Sequence, residues 1–243
     1  MNNKKSANRV IAHYNDVADQ YDQRYDHRER GRIYYDHICQ QVRQELPDGE
    51  DLLDIGCGTG LFASRYYDSG GSVTGIDISS GMVERAVQNH PYAVFVIGNA
   101  ELLPFADESF GAVASLLAFS YLQNPVMMLK DVYRILKPGG SVALCTLGKS
   151  LLTSGVPTVY RVGEHFNLKR VGVGAFNERY YTEEELSSLF SMAGFERVKT
   201  KKCSFAHLNL MNPIFSVARM VEPFIEQRIP QLAYNIVASG KKL

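Results

Sequence analysis

The chain has 243 residues, 45% hydrophobic and 21% charged, ordinary values for a folded globular protein and wrong for a disordered one. Lys plus Arg and Asp plus Glu each number 26, so the formal net charge is zero, which argues against a dedicated nucleic-acid binder. The length fits one domain with an appendage, large enough to bury a normal core without a disulfide or metal staple.

Residues 6–46 read as helical, with few breakers and five tyrosines (Tyr14, Tyr21, Tyr25, Tyr34, Tyr35), until Pro47, Asp48 and Gly49 end the pattern. The run 51–55 is short and apolar and ends in glycines, as a buried strand does. A helix is expected over 61–68, a strand over 72–78, and a helix over 80–88 capped by Ser79 or Ser80. Strands follow at 92–97 and 109–116. The amphipathic run 125–136 has proline in its first turn and Pro138-Gly139-Gly140 after it, and a fifth strand spans 141–147. Strands alternating with helices predict a parallel, doubly wound α/β sheet. Residues 148–181 have no clear period and read as an insertion. Thr182 with Glu185 caps a helix through Met192, closed by Gly194. Strands are expected at 195–205 and 232–239. Between them, 208–230 is too long for a hairpin turn and has apolar residues at helical spacing, with Pro213 in the first turn and Pro223 expected to kink or end the helix.

The strongest local signal is Leu52-Leu53-Asp54-Ile55-Gly56-Cys57-Gly58-Thr59-Gly60, a strand running through alternating glycines into a helix. Glycine tolerates positive φ and lets a ligand press on bare backbone, and the helix behind offers free N–H groups. Asp77 ends the next strand about 20 residues on, where a carboxylate can accept both hydroxyls of a ribose. That suits NAD and S-adenosylmethionine alike. The glycine spacing separates them, since a dinucleotide fingerprint runs G-x-G-x-x-G and this chain has Gly56-x-Gly58-x-Gly60.

With these residues the chain resembles a class I S-adenosylmethionine-dependent methyltransferase. The likeness rests on LLDIGCGTG at 52–60, VTGIDIS at 73–79, GNAELLPFADESF at 98–110, RILKPGG at 134–140 and YTEEELSSLFSMAGF at 181–195. YNDVADQYDQRY at 14–25 is similar to the segment preceding the core in small-molecule methyltransferases, including the ubiquinone/menaquinone biosynthesis type. The resemblance implies a Rossmann-like seven-stranded, mostly parallel sheet with the last strand antiparallel. It divides the chain into an N-terminal helical lid at 1–46 and a core at 47–243, with substrate-side insertions at 148–181 and 208–230. It implies S-adenosyl-L-methionine as cofactor and S-adenosyl-L-homocysteine as product. Carried over, Gly56, Cys57 and Gly58 wrap the methionine part and Asp54 sits near its amino group. Asp77 takes the ribose hydroxyls and Ile78 packs on the adenine. Asn99 and Ala100 hold the adenine edge, an amide standing where the family often has Asp. Leu116 or Leu117, at the end of the fourth strand, lines the methionine side. Met82 borders the adenine or simply packs in the core. Tyr21 and Tyr14 would touch the methionine end from a lid that orders when cofactor binds.

The acceptor side departs from the family. A His-His pair common after the fourth strand is replaced here by Ser120-Tyr121 in Phe119-Ser120-Tyr121-Leu122, which removes a base of ordinary pKa. The candidates for a catalytic role are Tyr121, which either orients substrate or packs at the sheet edge, His165 in the 148–181 segment, and Tyr14. The six histidines show no metal-ligand spacing, and no metal is expected. The expected function is in-line methyl transfer to a small, partly hydrophobic acceptor, with 208–230 forming a helix over the acceptor pocket. The alternative is a catalytically silent binder of the cofactor acting as sensor or partner. No basic appendage suits RNA, and Asp16, Asp19, Asp22 and Asp26 interleave the N-terminal tyrosines. Lys199, Lys201 and Lys202 attract an anion or a membrane surface peripherally, or form a solvated strand face. Cys39, Cys57, Cys145 and Cys203 form no CxxC pair and read as buried thiols. With no signal peptide and no apolar run of roughly 20 residues, a cytoplasmic monomer or homodimer is expected.

Overall fold

A computed structural model of the chain describes residues 2–67, 70–151 and 178–243. Most of the 148–181 segment, including His165, lies outside the described residues. The apolar runs form seven strands: β1 (Leu52–Ile55), β2 (Val73–Asp77), β3 (Val94–Ile97), β4 (Phe110–Leu116), β5 (Leu136–Leu147), β6 (Glu196–Cys203) and β7 (Asn235–Lys241). Their order is β3-β2-β1-β4-β5-β7-β6. β1 to β5 pair in parallel, and β7 inserts antiparallel between β5 and β6. This is the expected doubly wound sheet with an antiparallel last strand. β5 begins at Leu136 rather than at 141, because Leu136 already pairs with Phe110 and a register shift absorbs the glycine corner.

The helices are α1 (Asn2–Asp22), α2 (Glu29–Arg43), α3 (Leu61–Tyr66), α4 (Ser80–Asn89), α5 (Pro125–Ile135), α6 (Glu183–Met192) and α7 (Asn212–Arg228). Ser79 caps α4 by accepting the Met82 N–H at 3.2 Å. Thr182 and Glu185 form the expected capping box on α6. The N-terminal run is not one helix, since a π-helical turn at Gln23–His27 separates α1 from α2. Gly31 permits that turn. A Cβ there would lie 1.7 Å from the Arg24 carbonyl oxygen.

Strand alternation sends neighbouring residues to opposite layers. Leu53, Val113, Val142, Leu144 and Ile236 pack under α5 and α6 with Met128, Leu129, Val132, Leu186 and Phe190. Leu52, Ala112, Ala114, Ala143 and Val237 pack under α2 and α3 with Ile38, Val42, Phe62 and Tyr66. Fully burying each large side chain contributes roughly 1.5–3 kcal/mol before ordering entropy is subtracted. All four cysteines are buried free thiols. Lys199 and Lys201 flank Glu45 at 3.6 and 3.4 Å, so part of the basic strand face has a partner within the fold. No described helix is long and apolar enough to cross a membrane.

In the segment 208–230 the helix runs through Pro223 to Arg228, so of the two outcomes expected at that proline it does not end there. The place of the helix differs from expectation. Its apolar face does not cover the central cavity described below; of this segment only Leu208 lines that cavity. The reason is the side that packs. Phe215 and Ala218 bury against Ala206 and Ile33. Glu222, 1% exposed, accepts the N–H groups of Phe205 at 2.7 Å and Ala206 at 2.8 Å. That anchorage turns Val217, Met220 and Phe224 outward, 60%, 80% and 60% exposed.

Candidate functional site

β1 ends at Ile55 and the chain enters α3 through the glycine loop. Gly56, Gly58 and Gly60 hold φ of 73°, 53° and 83°, a region that costs an L-residue roughly 1–2 kcal/mol. A Cβ on Gly56 would sit 2.3 Å from the Ala118 Cβ, so the loop is bare where it meets the end of β4. Asp77, at the end of β2, braces the loop from the side. Its Oδ2 accepts the Gly58 N–H and its Oδ1 the Ser79 N–H, both at 2.9 Å. Burial pushes the Asp77 carboxyl up, and these N–H groups oppose the shift.

A cavity of about 450 Å³ lies between this loop and α1. Tyr14, Tyr21, Gly56, Gly58, Asp77, Ile78, Met82, Asn99, Ala100, Leu116 and Tyr121 all line it. The fold thus gathers residues 14 to 121 around one space. Asp54 and Cys57 do not line it. Cys57 turns its Sγ toward β2, where a Cβ on Gly75 would meet it at 2.8 Å. Asp54 is 2% exposed within β1.

Burial, reinforced by the Asp77 charge, pushes the Asp54 carboxyl from 3.8 up to about 8. The folded chain therefore holds this proton across a window in which the unfolded chain has lost it. Stability falls as pH rises through that window. The expected result is that Asp54→Asn flattens the decline in melting temperature between pH 5 and pH 8.5. An unchanged slope would show that Asp54 does not carry the titration.

α1 is seated on the loop and on α4 by polar contacts. Asn15 Oδ1 accepts from Ser79 Oγ at 2.7 Å and from the Gly81 N–H at 3.1 Å. Asp22 accepts from Thr59 Oγ1 and from Asn89 Nδ2. The Tyr14 hydroxyl donates to the Tyr121 hydroxyl at 3.1 Å. Burial pushes both phenols up, Tyr121 to about 12. Near neutrality they are protonated and can donate or accept a hydrogen bond, but are poor acceptors of a full proton. His165 lies outside the described residues.

The cavity also takes in Ser120, which the sequence marked only as half of the replaced His-His pair, and four residues given no role from the sequence: His13, Arg24, Arg28 and His207. A signal for part of this set was present. Val10, His13, Tyr14, Val17, Tyr21, Arg24 and Arg28 recur at helical spacing and share one face. His207 had no local signal, because it arrives on the loop after β6. Its Nδ1 accepts the Asn209 N–H at 3.2 Å, and burial together with the Arg24 charge pushes its pKa down to about 4. The ring is neutral near pH 7, with its remaining proton on Nε2.

His37, Glu222 and Glu226 bring potential metal-ligand atoms within 4.8 Å of one another, a grouping not visible in the sequence. These groups are already engaged. Glu226 Oε1 accepts from the Ser204 N–H at 2.6 Å and pairs with His37 Nε2 at 2.8 Å. Glu222 accepts from two backbone N–H groups and Arg219. They form a latch holding α7 to α2 and to the exit of β6.

A family model described as a methyltransferase domain matches residues 53–144. A demethylmenaquinone methyltransferase of Clavibacter sepedonicus is 31% identical over 203 residues, covering 76% of this chain and 78% of that one. A biotin biosynthesis bifunctional protein BioHC of Teredinibacter turnerae is 32% identical over 166 residues, 63% of this chain and 28% of that one. The chain spans only 23–45% of the length of several curated relatives it matches. Among solved structures, a Thermotoga maritima protein described as an S-adenosylmethionine-dependent methyltransferase, possible histamine N-methyltransferase, is 25% identical, with a TM-score of 0.68 over 95% of this chain and 98% of that one.

Proposed function

From the premise that the chain belongs to the class I S-adenosylmethionine-dependent methyltransferase family, we propose that it transfers a methyl group to a small, partly apolar acceptor. The observation that carries this reading is the single cavity in which the bare glycine loop and the Asp77 carboxylate face a wall of Tyr14, Tyr21, Tyr25 and Tyr121. The residues fit the cofactor. Gly58 leaves room for its amino-acid part, since a Cβ there would meet nothing nearer than Tyr21 at 3.8 Å, and Gly56 lines the same space. Asp77, with both oxygens already fixed by N–H donors, keeps lone pairs for ribose hydroxyls. Met82, Asn99 and Ala100 would border the adenine.

The bound cofactor supplies a methyl group on a sulfonium whose departure leaves a neutral thioether, so the protein needs no acid for the leaving group. Alignment and exclusion of water are its work. The two hydrogen-bonded tyrosines orient, and the weakly basic His207 suits an acceptor that arrives already nucleophilic. An apolar acceptor agrees with the leucine and tyrosine walls, and with a relative named for demethylmenaquinone.

The test is calorimetry with adenosylhomocysteine alongside transfer of a labelled methyl group to a panel of apolar acceptors. Micromolar binding with transfer is expected. No binding overturns the reading. Binding without transfer to any acceptor moves the chain to the alternative of a silent cofactor binder.

A further inference from the structure

The cavity is charged unevenly, and its arginines have no carboxylate counterpart among the described residues. Its carboxylates, Asp77 and Glu101, belong to the end of β2 and the loop after β3, and both accept backbone N–H groups. Its cations belong elsewhere. Arg24 lies in the π-helical turn and Arg28 directly follows it, and both line the cavity together with Tyr34, His207 and Leu208.

Arg24 has no carboxylate partner among the described residues. Nη2 donates to the Asn209 side-chain oxygen at 3.2 Å, and the buried Nε has no partner. Its chain neighbours that could neutralise it are committed: Asp22 to Thr59 and Asn89, and Asp26 to Arg65 at 2.8 Å. A half-buried guanidinium with an idle donor is costly unless a ligand completes it. The fold nevertheless holds it there, because Gly31 lets the turn carrying Arg24 press against α2. His207 adds a second donor. With Nδ1 occupied by the Asn209 N–H, its neutral ring offers Nε2–H and presents no negative charge to compete for Arg24.

We propose that Arg24, with His207 near it, receives an anionic group of the acceptor, so that the substrate class is an amphiphile with an apolar body and one carboxylate- or phosphate-type group. This rests on the methyltransferase reading and deepens it. The planar fork of Arg24 suits a carboxylate or phosphate through two parallel bonds. The cofactor's own amino-acid carboxylate is the competing source of an anion, and the experiment separates the two.

Calorimetry on the full chain, with and without saturating adenosylhomocysteine, would compare 3-phenylpropionate with its neutral isostere 3-phenylpropanamide. The acid is expected to bind at least about tenfold more tightly than the amide, the scale of a charge-assisted hydrogen bond. Arg24→Gln should bring the acid down to the level of the amide, Arg24→Lys should restore part of the preference, and adenosylhomocysteine affinity should stay within about threefold of wild type, less than half the free energy of a tenfold change. The wild-type comparison stands even if a variant folds poorly. Equal binding of acid and amide by the wild type overturns the proposal, as does a preference that survives Arg24→Gln. A loss of adenosylhomocysteine affinity of about tenfold or more in Arg24→Gln assigns the anion to the cofactor and also overturns it. If adenosylhomocysteine fails to bind the wild type, the methyltransferase reading falls, while the acid–amide comparison on the chain alone still reports on Arg24.

Discussion

Asp77→Ala is expected to weaken adenosylhomocysteine binding by roughly 30- to 1,000-fold, about 2–4 kcal/mol, the scale of losing a buried charged acceptor. Two effects add. The variant removes the acceptor for ribose hydroxyls, and it releases the Gly58 N–H that the carboxylate holds at 2.9 Å, loosening the loop. Asp77→Asn separates them in part. The amide keeps the shape, but it must turn its NH₂ toward either the Gly58 or the Ser79 N–H, donor against donor. It should therefore also lose affinity, though less than alanine. Calorimetry at one pH reads both variants. Asp77→Ala binding within threefold of wild type would remove Asp77 from the site.

The second large effect concerns stability and spares the cavity. Glu222→Ala should cost about 3–5 kcal/mol, the range for breaking a buried charged network by removing one partner. The side chain is 1% exposed, and its loss strands the Phe205 and Ala206 N–H groups and the Arg219 guanidinium at once. At a fall of roughly 2–4 °C per kcal/mol for a chain of this size, the melting temperature should drop on the order of 10 °C. Glu222→Gln keeps one acceptor and should fall between the two. No residue of α7 lines the cavity, so adenosylhomocysteine affinity measured well below the melting temperature should be unchanged. A melting temperature within 2 °C of wild type would show that the latch is not what seats α7.

Much of the fold was legible because its determinants are local. β1, β2 and β3 are short runs stopped by Gly56, by Asp77 and by Gly98, and the starts of α4, α5 and α6 carry their own caps. The π-helical turn was not legible, because nothing in Gln23–His27 breaks a helix. Gly31, further along the chain, decides it by admitting the Arg24 carbonyl. The place of α7 was also hidden. Its broad apolar face suggested a cover for the pocket, whereas one buried glutamate reaching Phe205 and Ala206 sets the rotation of the helix.

For the site, the sequence by itself determined the glycine loop and Asp77, since backbone freedom at Gly56 and Gly58 and a carboxylate at a strand end are properties of those residues wherever the strand lies. It also determined the alternation of strand and helix that makes a parallel sheet. Only the tertiary structure decided which distant residues share the cavity. Tyr14 reaches Tyr121, Arg24 meets the loop carrying His207 and Asn209, and His37 meets Glu226. Those meetings depend on how segments more than a hundred residues apart return to the same end of the sheet. The ionisation that follows is tertiary too. An aspartate held protonated up to about pH 8 and a histidine kept neutral down to about pH 4 owe their states to burial and to neighbours brought by the fold, which no local stretch of sequence contains.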